Sequence, residues 1–237
     1  MNWLGSVLFT SLMFLSVPPY AMVVVFSRVF GKRAAYATSR AWCAGVVWLA
    51  KVFCGLDYRV EGLENLPTEP CVLLIKHSSA YETFAQFLIF PRQSWVLKRE
   101  LIWAPFLGWA LATLHPIAID RKAGNSAVEQ VVEQGKARLA DGLYVNIFPE
   151  GTRMPPGETR RYGLSGTLLA QRDNRLLVPV AHNAGDYWPR RGLRKRPGVV
   201  RFVIGPPIDP ADRNPREVNA EVQAWVENKV AELRADI

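Results

Sequence analysis

The chain has 237 residues, room for one well-buried α/β domain and too few for two ordinary domains plus an anchor. Its net charge of +8 (29 Lys and Arg against 21 Asp and Glu) raises nucleic acid as a partner, but basic residues do not interleave with aromatics along a recognition helix and no nucleic-acid-binding fingerprint occurs. Three cysteines, Cys43, Cys54 and Cys71, lie in apolar segments at no ligand spacing; this excludes a disulfide framework and reads as reduced packing residues in a cytoplasmic protein.

Residues 2–27 carry no charge, and Pro18-Pro19 predict a helix that ends or kinks there. A second apolar stretch, 41–56, holds one charge, Lys51, and makes about 24 Å of helix, short of a full span. No basic residue precedes the first run and no small-x-small site follows it, so a secretory leader fits poorly. A pair of helices sunk into one leaflet explains both lengths, one true span being the alternative. Residues 1–56 are therefore expected to form a membrane anchor and 57–237 an α/β domain. Arg28, Lys32, Arg33 and Arg40 follow the first run, which puts the remainder of the chain on the cytoplasmic face of the inner membrane.

Beyond the anchor, 58–61 read as a short strand and 71–75, continuously apolar, as a strand buried on both faces. A helix over 83–90 stops at Pro91, and a strand over 94–97 leads to Lys98. Pro105 opens a helix whose stripe of Leu107, Trp109 and Leu111 is read as core, with an acyl-groove lining as the alternative. A strand over 116–119 ends at Asp120-Arg121. The clearest amphipathic helix covers 125–139, with Val128, Val131, Val132, Gly135 and Leu139 inward and Gly142 as its stop. Strands over 143–148, 176–180 and 199–204 and a terminal helix over 215–234 complete the pattern. Alternation of this kind predicts an α/β fold with a mixed, largely parallel sheet flanked by helices. Ligands of such sheets collect at the carboxyl ends of strands, and His77, Lys98, Arg121 and Glu150 all lie just beyond predicted strands.

Two segments carry chemistry. His77 ends an apolar run and is followed five positions later by Glu82. A neutral imidazole whose other nitrogen is held by a carboxylate is an oriented general base. Phe148-Pro149-Glu150-Gly151-Thr152-Arg153 closes a second apolar run and supplies a carboxylate, a flexible backbone and a guanidinium. Gly151 permits positive φ, which makes its N–H a candidate anion or oxyanion donor. Ser78 and Ser79 lack a Gly-x-Ser-x-Gly elbow, which favours direct transfer over an acyl-enzyme. His115 and His182 have no partnered spacing and read as structural. No His/Cys cluster suggests a metal, and the glycines form no dinucleotide or Walker fingerprint. The basic cluster Arg190, Arg191, Arg194, Lys195 and Arg196, beside Tyr187 and Trp188, suits an anionic membrane surface or a solvated loop.

With these blocks the chain resembles the PlsC-like 1-acylglycerol-3-phosphate acyltransferases of the glycerolipid acyltransferase family. The resemblance spans about residues 57–210 and rests on His77…Glu82, the Lys98 to Arg121 stretch, Phe-Pro-Glu-Gly-Thr-Arg and the late Val178-Pro179-Val180 strand. One departure is visible: Glu82 stands where the family usually has Asp. The resemblance implies a glycerol-3-phosphate acyltransferase-like fold, and transfer of an acyl group from acyl-CoA or acyl carrier protein to 1-acylglycerol-3-phosphate. It also implies no cofactor or metal, His77 as base with Glu82, and Lys98, Arg121 and Arg153 as phosphate ligands. Glu150 would bind the acceptor's glycerol or brace the Arg153 turn. For Lys98 and Arg121 a surface ion pair, with Glu100 or Asp120, is the plainer reading. Another lyso-lipid, such as a lyso-ornithine lipid or lysophospholipid, is the rival acceptor. A catalytically silent membrane lipid-binding protein is the rival class.

Overall fold

The structure, a computed structural model, describes residues 3–120 and 124–237. Two helices open the chain, α1 (Trp3–Ser27) and α2 (Lys32–Cys54). There follow β1 (Leu56–Glu61), β2 (Val72–Ile75), α3 (Tyr81–Ile89), β3 (Gln93–Lys98), α4 (Leu107–Thr113) and β4 (Ile117–Ile119). The remainder is α5 (Asn125–Ala140), β5 (Tyr144–Ile147), α6 (Ser165–Arg172), β6 (Leu177–His182), α7 (Ala184–Tyr187), β7 (Gly198–Ile204) and α8 (Pro215–Ala235).

The strands form one sheet in the order β1-β7-β6-β2-β5-β3-β4. β6, β2, β5, β3 and β4 run parallel to one another, whereas β7 pairs antiparallel with β6 and carries β1 with it. The sheet is therefore mixed and largely parallel, as the alternation of elements predicts. β2 is its central strand: all four of its residues are buried, which is why its sequence is continuously apolar. α8 covers the β2–β6 side with Val218, Val222, Val226, Val230 and Leu233, and Asn214 caps it by accepting the Arg216 N–H at 3.0 Å.

α1 continues through Pro18 and Pro19, so the prolines do not end it. Packing on α2 holds the helix on both sides of the prolines. Trp42 Nε1 donates to Ser16 Oγ at 3.0 Å, and the Tyr20 and Trp42 rings lie 6.5 Å apart. α2 starts well before the apolar stretch at 41, because Ala35, Tyr36 and Ser39 continue its buried face, and it closes at Gly55 in the left-handed conformation. Phe9, Met13, Val46, Val47 and Ala50 of the two helices share one core with Leu56, Tyr81, Ala85, Trp188 and Phe202. The opposite side of α1 is bare and apolar, with Phe14 65% and Leu15 73% exposed.

α4 does not follow its expected role. Its small Ala110 packs on Ala21 and Val24 of α1, while Leu107, Trp109 and the preceding Trp103 point out and extend the apolar surface of α1. Of the stripe read as core, Leu107 and Trp109 are thus exposed, because α4 meets α1 through Ala110, whereas Leu111 packs partly buried beside Leu97 and Leu114.

Candidate active site

The carboxyl ends of β2, β5, β6 and β3 meet at one edge of the sheet, and each delivers a polar residue there. His77 follows β2, and its backbone is fixed on both sides. Its N–H donates to Glu150 Oε2 at 2.8 Å and its carbonyl accepts the Met154 N–H at 2.7 Å. The imidazole stacks on Phe148, with ring centroids 4.1 Å apart. Nδ1 lies 2.8 Å from Glu82 Oε1.

Glu82 sits in the first turn of α3 and folds back over the turn that precedes it. Oε1 also accepts the Ser78 and Ser79 N–H groups, at 3.1 and 2.9 Å. Burial alone would raise this carboxyl, but the hydrogen bond from His77, the neighbouring imidazoles and the Ser79 N–H together hold it below its ordinary value. An ionised carboxylate only accepts, so Nδ1 carries the proton of this hydrogen bond, and in the neutral tautomer this selects Nε2 holds the lone pair. The extra methylene of Glu relative to Asp is taken up by this fold-back.

Oε2 of Glu82 is buried and has no hydrogen-bond partner among the described residues. Glu82→Gln is accordingly expected to keep its carbonyl at the Oε1 position and preserve the tautomer. Turnover should fall by about 10², from loss of the charge that stabilises imidazolium. A fall near 10⁴, the size expected when an amide forces the wrong tautomer, would show the fold-back is not retained.

Both serines beside His77 are committed. Ser78 Oγ accepts the Gly185 N–H at 3.2 Å, and Ser79 Oγ donates to the Trp188 carbonyl at 2.6 Å while accepting the Tyr81 N–H. They are 4% and 0% exposed, so neither is presented as a nucleophile.

Beneath His77 lies an ionic cluster that the sequence reading missed. Lys76 Nζ is 2.7 Å from Glu150 Oε1 and 2.9 Å from Glu227 of α8, and also donates to the Glu158 carbonyl at 2.9 Å. Tyr162 donates its hydroxyl to Glu227 at 2.7 Å. Burial pushes the Glu150 carboxyl up to about 7, with the Lys76 ammonium and the His77 N–H pulling it down. Its side chain is wholly buried and both oxygens are engaged, so Glu150 braces the His77 backbone and does not reach an acceptor. The available signal was Lys76 itself, a charge between an apolar strand and His77, which burial obliges to be paired. His182, 1% exposed, supports the same backbone: Nε2 donates to the Lys76 carbonyl at 2.7 Å and Nδ1 accepts the Ala184 N–H.

The remaining predicted residues divide. Gly151 has the positive φ expected (+68°), but its N–H donates to the Phe148 carbonyl at 2.9 Å and closes the turn, so it is not an oxyanion donor here. Arg153 lies in the same turn, half-buried, its carbonyl accepting from Arg190 Nη1 at 3.0 Å. Lys98 reaches the same edge at the end of β3, two strand spacings or about 10 Å from β2. It is exposed and paired with Glu100 at 3.2 Å, a contact weak enough for a phosphate to displace. Arg121 lies outside the described residues. A cavity of about 390 Å³ near His115, Arg92 and Lys32 opens at the amino ends of β3 and β5, on the far side of the sheet from His77. Among the described residues no group of three or more His, Cys, Asp or Glu is arranged to hold a metal.

The backbone matches that of the crystal structure of the 1-acyl-sn-glycerophosphate (LPA) acyltransferase, PlsC, from Thermotoga maritima, with a TM-score of 0.80 over 99% of this chain and 96% of that one. At 22% identity this likeness establishes the fold, that of an acyltransferase. The Acyltransferase family profile matches residues 57–183. The 1-acyl-sn-glycerol-3-phosphate acyltransferase of Pseudomonas aeruginosa is 47% identical over 195 residues, 81% of this chain and 76% of that protein. The human 1-acyl-sn-glycerol-3-phosphate acyltransferase alpha is 27% identical over 173 residues, 72% of this chain and 61% of that longer protein. The chain belongs to the acyltransferase family.

Proposed function

We propose that this chain moves a fatty acyl group from an acyl thioester, acyl-CoA or acyl carrier protein, to the free hydroxyl of 1-acylglycerol-3-phosphate, giving phosphatidic acid. The observation that carries the mechanism is the 2.8 Å contact between His77 Nδ1 and Glu82 Oε1 at the carboxyl edge of the sheet. The relatives' names support the acceptor.

In this reading Nε2 of His77 takes the proton as the acceptor hydroxyl attacks the thioester carbonyl. The new C–O bond forms, the C–S bond breaks, and the proton passes from imidazolium to the departing thiolate. Glu82 stabilises the transient imidazolium. Lys98, with Arg121 and Arg153, binds the acceptor's phosphate. The chemistry requires no metal and no cofactor beyond the thioester. A panel of lyso-lipids offered to the purified protein with an acyl thioester tests the acceptor. Lysophosphatidate is expected to be acylated fastest, and preference for a lyso-ornithine lipid or a lysophospholipid would overturn the assignment.

The acceptor enters from one leaflet. The helical segment Trp3–Phe30, α1 and the turn after it, is long and apolar enough to cross a membrane. Yet its first half packs on Trp188 and Lys195, and its second half on α4, so the domain lies along its whole length. A helix so covered is suited to lying in the interface with Phe14, Leu15, Trp103 and Trp109 in lipid. Arg28, Lys32, Arg33 and Arg40 favour the cytoplasmic face of the inner membrane. Phe14→Ser with Leu15→Ser, which removes about 3–6 kcal/mol of lipid burial, is expected to weaken vesicle co-sedimentation more than 100-fold at unchanged melting temperature. Undiminished sedimentation would rule out this face.

A further inference from the structure

The basic cluster of residues 190–196 is split by the structure into three different jobs. Lys195 turns inward and is 3% exposed: Nζ donates to Thr10 Oγ1 and the Leu193 carbonyl, and lies 4.9 Å from the Trp188 ring. Its N–H donates to Ser6 Oγ, so this lysine pins the loop to α1. Arg190 is spent on the Arg153 carbonyl. Arg191, Arg194 and Arg196 instead line a cavity of about 470 Å³ together with Arg234 of α8, Gly185 and Asp186. Asp186 pairs with Arg234 at 2.9 Å, and no carboxylate among the described residues pairs with the other three guanidinium groups.

The cavity adjoins the catalytic turn. The Gly185 N–H donates to Ser78 Oγ, and a Cβ on Gly185 would come within 2.8 Å of Ser78 Cβ. The backbone N–H of Ser78 in turn donates to Glu82, the partner of His77. Arg191, Arg194 and Arg196 sit on the loop between α7 and β7, on one side of β2 in the sheet order, whereas Lys98 ends β3 on the other side. His77 therefore stands between two cationic places, and acyl transfer joins two substrates.

We propose that the arginine-lined cavity binds the polyanionic nucleotide end of a coenzyme A thioester, with the acyl-bearing arm running over the protein surface to His77. The proposal rests on the acyl-transfer reading and names its donor. The acceptor's phosphate monoester is assigned to Lys98, Arg121 and Arg153, whereas a pyrophosphate and a ribose phosphate together need a further set of forked cations. The volume suits one nucleotide.

The test is Arg194→Ala and Arg196→Ala, singly and together, assayed with palmitoyl-CoA, palmitoyl-pantetheine and palmitoylated acyl carrier protein, alongside equilibrium binding of coenzyme A alone. Each single change is expected to raise the KM for palmitoyl-CoA and the Kd for coenzyme A about tenfold. The lysophosphatidate KM, kcat and the KM for palmitoyl-pantetheine should stay within twofold. Unchanged coenzyme A binding overturns the proposal, as does an equal loss on palmitoyl-pantetheine. A rise confined to acyl carrier protein overturns it in favour of a protein-docking face, and lost vesicle binding at unchanged donor KM in favour of a lipid-headgroup site. If coenzyme A binding is lost as expected but lysophosphatidate is never acylated, the cavity assignment stands and the acceptor reading fails.

Discussion

His77→Ala is expected to lower kcat by about 10³ to 10⁴ while leaving the fold intact. The hydroxyl of a glycerol backbone is a poor nucleophile until its proton is removed, and the proposed mechanism assigns that task to Nε2 of His77. The ring is 14% exposed at the cleft, and its removal sacrifices the Phe148 stack, worth about 1 kcal/mol, and the hydrogen bond to Glu82, whose Oε1 keeps the Ser78 and Ser79 N–H groups. The backbone contacts that position this residue, from Glu150 and to Met154, survive truncation of the side chain. The KM for lysophosphatidate should be unaffected, because phosphate binding is assigned to Lys98 and its partners. Turnover within tenfold of the parent in a correctly folded variant would remove His77 from the mechanism.

Lys76→Met is expected to cost about 3–5 kcal/mol of stability, lowering the melting temperature by roughly 10 °C. Lys76 is 2% exposed and is the ammonium that compensates Glu150, whose side chain is wholly buried. Methionine fills the space but leaves that carboxylate without its cation, and Glu227 is then left to Tyr162 and Thr159. The loss has a definite pH sign. Glu150 is raised by burial to about 7, above its ordinary 4.5, so its contribution to stability is present below about pH 4.5 and is lost as pH rises through 7. Without Lys76 the carboxyl is pushed higher still. The variant should therefore be nearer the parent at pH 5.5, where Glu150 is protonated, than at pH 8. Adding Glu150→Gln, which needs no counter-charge, should recover part of the deficit at pH 8. A penalty independent of pH would show that the Lys76–Glu150 pair is not its source.

The order of strands and helices was legible because β2, β5 and β6 are apolar runs, and α5 and α8 repeat valines at helical spacing. Three features were not legible. α6 is eight residues long and contains Gly166, too short for periodicity to declare it. Continuation of α1 through Pro18-Pro19 depends on Trp42, a tertiary partner that local propensity does not contain. The outward turn of Leu107 and Trp109 depends on α1 occupying the other side of α4, and an apolar helix face is written alike for core and for lipid. At the site, the His77–Glu82 spacing pointed to the pair, but the spacing alone could not say that Glu82 would fold back over Ser78 and Ser79. The Lys76, Glu150 and Glu227 cluster joins positions 151 residues apart, a distance at which sequence pattern carries no information.

Direct transfer to the acceptor is most sharply tested by rapid-quench mass spectrometry of protein and lipid together, after mixing the vesicle-bound enzyme with an acyl thioester and lysophosphatidate. The account predicts that phosphatidate appears in the first turnover while the protein keeps its unmodified mass, because Ser78 and Ser79 are buried and engaged. A protein heavier by one acyl group, formed before phosphatidate and consumed as it accumulates, would contradict it.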